Sequence, residues 1–82
     1  QKVLAELDRA KRQHPKWPLD VFCALSILSE EMGEAHQAAL EAAFRGANPD
    51  EVEAEVIQLG AMCIRFLENW PFRTRLGPGG QA

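Results

Sequence analysis

Apolar positions recur at helical spacing in three segments of the chain. From Lys2 to Gln13, the apolar residues Val3, Leu4, Leu7 and Ala10 share one side of a short helix. His14-Pro15 stops it, because the residue before a proline avoids the α region. Pro15-Lys16-Trp17-Pro18 is then a rigid, extended connection. Asp20 is placed to cap a second, long helix over residues 21–45. Its stripe runs through Val21, Ala24, Leu25, Leu28, Met32, Ala35, Ala39 and Ala42, widened by Phe22, Ile27, Ala38, Ala43 and Phe44. A stripe this wide predicts burial on more than one side. Gly33, in the helix interior, predicts a close approach by another part of the structure. Gly46 is placed to end this helix. Asn48 caps a third helix over residues 49–69, with Pro49 at its first position. Val52, Val56, Leu59, Met62, Cys63, Phe66 and Leu67 mark its core face. The connecting loop is short, so the second and third helices should be antiparallel neighbours.

The fold class expected is therefore all-α, an antiparallel bundle of three main helices. The helical domain covers residues 1–70. Residues 71–82, rich in proline and glycine and without periodicity, form an expected flexible tail. A chain of 82 residues makes one domain with a marginal core, so the bundle is expected to be completed by oligomerisation.

Acidic positions interrupt this pattern in two places. Glu30-Glu31-Met32-Gly33-Glu34 puts three carboxylates within five residues of the second helix. Glu31 and Glu34 share a face with Ile27 and Ala38, and Glu30 reaches Glu34 at the i,i+4 spacing. Carboxylates so placed repel one another unless something neutralises them. In the third helix Glu55 and Gln58 form an i,i+3 pair. Folding about the turn near Ala47 brings the two groups level to within a few ångströms, at a rise of ~1.5 Å per residue. Oxygen ligands gathered in this way suit a hard divalent cation. Glu41, Glu51 and Glu53 read as solvent-facing.

The net charge of −3 is unevenly spread. Residues 21–64 carry eight acids against Arg45 alone, while both ends of the chain are basic. An acidic middle argues against a nucleic acid polymer as partner and suits concentration of cations. Cys23 and Cys63 read as small buried hydrophobes, not as a disulfide framework. No apolar run is long enough to span a bilayer and no signal peptide is visible, so the default location is cytoplasmic, with no membrane partner. The chain starts at Gln1 and not at a methionine, which predicts residues upstream of it.

The paired blocks resemble a known signature. Glu-Glu-x-x-Glu, then about twenty residues, then Glu-x-x-Asp is the pattern of the MazG-like all-α nucleoside triphosphate pyrophosphohydrolases. Glu30-Glu31-Met32-Gly33-Glu34 matches its first half, and Glu55-Val56-Ile57-Gln58 its second half except at the last position. His14-Pro15-Lys16-Trp17-Pro18-Leu19-Asp20 and Ile64-Arg65-Phe66-Leu67-Glu68 also look like a small stand-alone branch of that family. The resemblance spans roughly residues 1–70. It implies Mg2+-dependent cleavage of a nucleoside triphosphate between the α and β phosphates. It further implies Glu31, Glu34 and Glu55 as magnesium ligands, and Glu30 as a supporting acid behind them or as a ligand to a further ion that orients or activates the attacking water. Gln58 stands where the family has aspartate; its carbonyl can still ligate, without charge. A homodimer or homotetramer, with sites drawing on two chains, is expected.

Other candidates are softer. Lys11, Arg12, Lys16 and Arg65 are placed either to meet the triphosphate or simply to be solvated at helix ends. Trp17 is either a base-stacking surface or packing against the helix pair. His14 and His36 are read as a helix-end and a surface histidine. The alternative function is a catalytically degenerate helical module that binds a nucleotide or protein without hydrolysis, a reading Gln58 favours. A weaker third is a purely structural dimerisation domain.

Overall fold

The computed structural model describes residues 1–71 of the chain. They form α1 (Lys2–Gln13), α2 (Val21–Arg45) and α3 (Asp50–Glu68), with no strand among the described residues. The expected tail lies outside the described residues, apart from Pro71.

Each boundary has a local cause. The Gln1 side chain accepts a hydrogen bond from the Leu4 backbone N–H at 2.9 Å, which caps α1. The Asp20 carboxylate accepts from the N–H groups of Phe22 (2.6 Å) and Cys23 (3.3 Å), satisfying two of the unpaired donors at the start of α2. Gly46 ends α2 at φ 72, a left-handed conformation that costs glycine nothing sterically, and the Ala47 N–H turns back to the Glu41 carbonyl. The Asn48 side chain accepts from the Asp50 N–H at 2.9 Å and tightens the turn, but α3 is capped one residue later than expected, at Pro49, with no side-chain cap bond.

α3 is the central element. It packs antiparallel against α2 and, running parallel, against α1, as the Lys2–Glu53 and Lys11–Glu68 pairs show, while α1 and α2 do not pack directly on one another. Val3 of α1 lies against Gly60, where an added Cβ would stand 3.4 Å from the valine side chain. The close approach expected at Gly33 is therefore found at Gly60. Among the described residues, nothing lies within 4 Å of a Cβ built on Gly33.

The strip of α2 facing α3 runs through Val21, Ala24, Leu28, Glu31, Ala35, Ala38 and Ala42, at alternating steps of three and four. The rest of the apolar stripe is uncovered within the chain. Phe22, Leu25, Met32, Leu40 and Phe44 are all exposed, Phe44 at 81%. The expected two-sided burial of α2 is thus one-sided in the protomer, because only α3 reaches it. Cys23 is likewise an exposed free thiol and not a buried hydrophobe; Cys63 is half-buried. The buried apolar residues are Leu7, Ala10, Val21, Ala24, Ala35 and Ala61, mostly alanines, and no large side chain among the described residues is fully buried. No helix of the described chain is long and apolar enough to cross a membrane.

One charged residue belongs to the interior. Arg65 is 4% exposed. Its guanidinium donates to the carbonyls of His14 and Lys16, the latter at 3.3 Å, and lies 5.2 Å from the centre of the Trp17 ring. Arg65 thus ties the α1–α2 linker to α3.

Candidate functional site

Glu31 sits in the middle of the buried strip of α2, where the helix pattern calls for an apolar residue. Burial pushes its carboxyl from the ordinary 4.5 up to about 7, helped by Glu34 and then by the charges of Glu55 and Glu6. Across the interface, Glu55 of α3 is raised as well, by burial first and then by Glu34 and Glu51. One oxygen of Glu55, Oε1, is shut off from solvent with no hydrogen-bond partner. Glu34 is the common neighbour: its carboxyl lies beside both Glu31 and Glu55. Three carboxylates from two helices thus converge as the spacing predicts, and each raises the cost of ionising the next.

Glu34 and Glu55 open into a groove of about 340 Å³ between α2 and α3. Glu41 and Glu51, read from sequence as solvent-facing, line the same groove together with Gln37. Gln37 donates to Glu41 at 2.9 Å. The signal for these two was available in the fold of the hairpin: in antiparallel neighbours, residues flanking the turn pair level by level. Glu30 is exposed and is not among the residues lining this groove.

Gln58 is placed apart from Glu55. It lines a second groove, between α1 and α3, beside Lys2, Glu6 and Arg9. One turn of helix separates the two residues, yet α3 is flanked on both sides, and that rotation is enough to give them different neighbours. The cations proposed from sequence for the substrate also lie elsewhere. Arg12 pairs with Asp8 on the exposed side of α1, Lys11 pairs with Glu68 at 2.7 Å, and the half-buried Trp17 packs under Arg65. Lys16 is exposed, its carbonyl bound by Arg65. Arg65 comes ten residues after Glu55 on α3, about 15 Å along the helix axis. Lys16, Trp17 and the end of α1 that carries Arg12 therefore lie toward the Arg65 end of α3, away from the acidic cluster within one chain.

Among the described residues, no three His, Cys, Asp or Glu side chains stand preassembled to hold an ion. The donor chemistry nevertheless fits magnesium: hard carboxylate oxygens, mutually repelling, one of them buried and unpartnered. Glu31, Glu34 and Glu55 are the residues that would hold it.

The cluster makes stability depend on pH with a defined sign. A carboxyl whose folded pKa is raised above 4.5 binds its proton more tightly when folded, so stability falls as pH rises from about 4.5 to about 7. The limiting slope is about 1.4 kcal/mol per pH unit. Partial solvent access reduces the expected loss to on the order of 1 kcal/mol across the window. Glu6, lowered by Arg9, works in the opposite sense and offsets part of it. Urea denaturation in EDTA at pH 5 and pH 7 measures this; higher stability at pH 7 would contradict it.

Comparison with family models, curated proteins and solved structures yields no match.

Proposed function

We propose that the chain is a nucleoside triphosphate pyrophosphohydrolase of the MazG-like kind, dependent on Mg2+. What supports the reading is the convergence of Glu31, Glu34 and Glu55 across the α2–α3 interface, with a buried oxygen of Glu55 left without a partner. Magnesium held by those three acids would supply positive charge against the phosphate oxygens. The protein's own part is to hold the carboxylates on two rigid helices, so that the reacting phosphate is positioned before the reaction begins. Glu30, exposed one turn before Glu34, is the acid left to take a proton from the attacking water. Water adds to the α-phosphorus, the bond to the bridging oxygen breaks, and pyrophosphate leaves from a nucleoside monophosphate.

The same reading includes a homo-oligomer. It is supported by the exposed apolar face of α2 and by the lack of a fully buried large side chain among the described residues.

The direct test is incubation with a panel of nucleoside and deoxynucleoside triphosphates and Mg2+, with detection of pyrophosphate. Release from at least one of them, abolished by EDTA, is the expected result. Absence of release from all of them refutes the hydrolase and leaves the second reading, a degenerate module that binds without hydrolysing. Gln58 is the observation that favours that alternative; it predicts stabilisation by nucleotide with no product.

A further inference from the structure

The groove between α1 and α3 is chemically unlike the acidic one. It has a volume of about 390 Å³, with Lys2 and Arg9 on the α1 wall, Gln58 on the α3 wall and Ala54 and Ile57 beneath. Glu6 belongs to the same wall, and the two grooves adjoin at Ala54, which lines both. Arg9 donates from Nε and one terminal nitrogen to Glu6 and from the other to Gln13. A guanidinium has five N–H groups, so two remain after these three bonds. The side chain is 46% exposed, so they are within reach of a ligand. Lys2 is held only by an exposed pair with Glu53, 3.1 Å long, and is free to turn.

These placements bear on where a polyanion would lie. A triphosphate with its reacting phosphate at Glu31, Glu34 and Glu55 needs cations nearby for the rest of its charge. Lys16 stands beside Arg65, about 15 Å along α3 from Glu55, further than the three phosphates extend. Arg9 lines the groove that adjoins the acidic one at Ala54.

We propose that the α1–α3 groove takes the phosphate chain of the nucleotide, with Arg9 and the Gln58 amide as its hydrogen-bond donors. This rests on the hydrolase reading of the acidic site and deepens it. Glu6 is a positioning residue: its two-point grip fixes the Arg9 guanidinium at the groove wall. Gln58 then has a role of its own. Its NH₂ group donates to a phosphate oxygen, where an aspartate would repel it.

The probe is inorganic tripolyphosphate with Mg2+, which removes the unknown base preference, with affinity read by calorimetry. Arg9→Ala and Gln58→Asp are each expected to weaken binding about tenfold or more, the loss of a hydrogen bond to a charged group. Arg9→Lys keeps the charge without the fork and is expected to fall between wild type and Arg9→Ala. Affinity for Mg2+ alone should not fall in Arg9→Ala, because a Glu6 carboxylate freed of its cation only adds negative charge, and this separates loss of phosphate contacts from damage to the acidic site. Gln58→Asp carries the test if Arg9→Ala does not fold. Wild-type affinity in both Arg9→Ala and Gln58→Asp overturns the proposal, as does a loss in Arg12→Ala in place of Arg9→Ala. So does failure of the wild type to bind tripolyphosphate. Weakened binding in the variants, with no pyrophosphate released from any nucleotide by the wild type, sinks the hydrolase and leaves the groove standing.

Discussion

Glu34→Gln is expected to abolish pyrophosphate release, by at least about 100-fold, while raising the melting temperature of the metal-free protein. The two effects have one origin. Glu34 lies beside both Glu31 and Glu55 and raises the pKa of each. A glutamine of the same shape removes the central charge, and each outer acid then ionises more easily inside the fold. The gain is on the order of 1 kcal/mol, a rise of about 4–8 °C for a chain of this size. In saturating Mg2+ the order should reverse, because only the wild type then gains stability from the bound cation. Melting curves in EDTA and in Mg2+, beside the pyrophosphate assay, read all three. If Glu34→Gln melts lower than wild type in EDTA, the three acids are not under mutual strain.

Arg65→Ala is expected to be the most destabilising single substitution among the described residues, by about 3 kcal/mol. The guanidinium is buried, donates to two linker carbonyls and stacks on Trp17. Removing it strands the His14 carbonyl, opens space beside the indole and frees the segment from Pro15 to Pro18. A domain of this size has a total stability of about 5–15 kcal/mol, so the loss is a large share of the whole. Arg65→Lys should recover only part of it, since an ammonium has neither the planar stack nor the fork of donors. Urea denaturation, together with the rate of proteolysis in the linker, measures the effect. A loss below about 1 kcal/mol for Arg65→Ala would mean that the linker is held by other contacts.

The helices were legible because their signals are local. Asp20, Gly46 and Asn48 announce the ends of α2 and α3 within a residue or two, and each makes the cap or turn its chemistry suggests. The meeting of Glu31, Glu34 and Glu55 was legible too, since a short turn forces antiparallel neighbours into register. What did not show in the sequence was which faces have a partner. The stripe of α2 shows where apolar residues lie and not whether anything covers them, so Met32 and Phe44 read as core and stand exposed. The central position of α3 was hidden for the same reason, and it is what divides Glu55 from Gln58. Glu6 and Arg9 read as ordinary residues of an exposed helix. Their i,i+3 pairing is visible in the sequence, but its position beside the acidic cluster depends on where α1 packs. Arg65 looked like a surface cation because nothing local predicts that the linker folds over it.

The proposed cation site joins Glu31, Glu34 and Glu55 across the α2–α3 interface. Anomalous diffraction from crystals grown with Mn2+ in place of Mg2+ tests it most directly. A manganese peak bounded by oxygens of those three residues, and lost in Glu34→Gln, is the expected result. Manganese absent from the α2–α3 interface at saturating concentration, with the three carboxylates still grouped there, would contradict it.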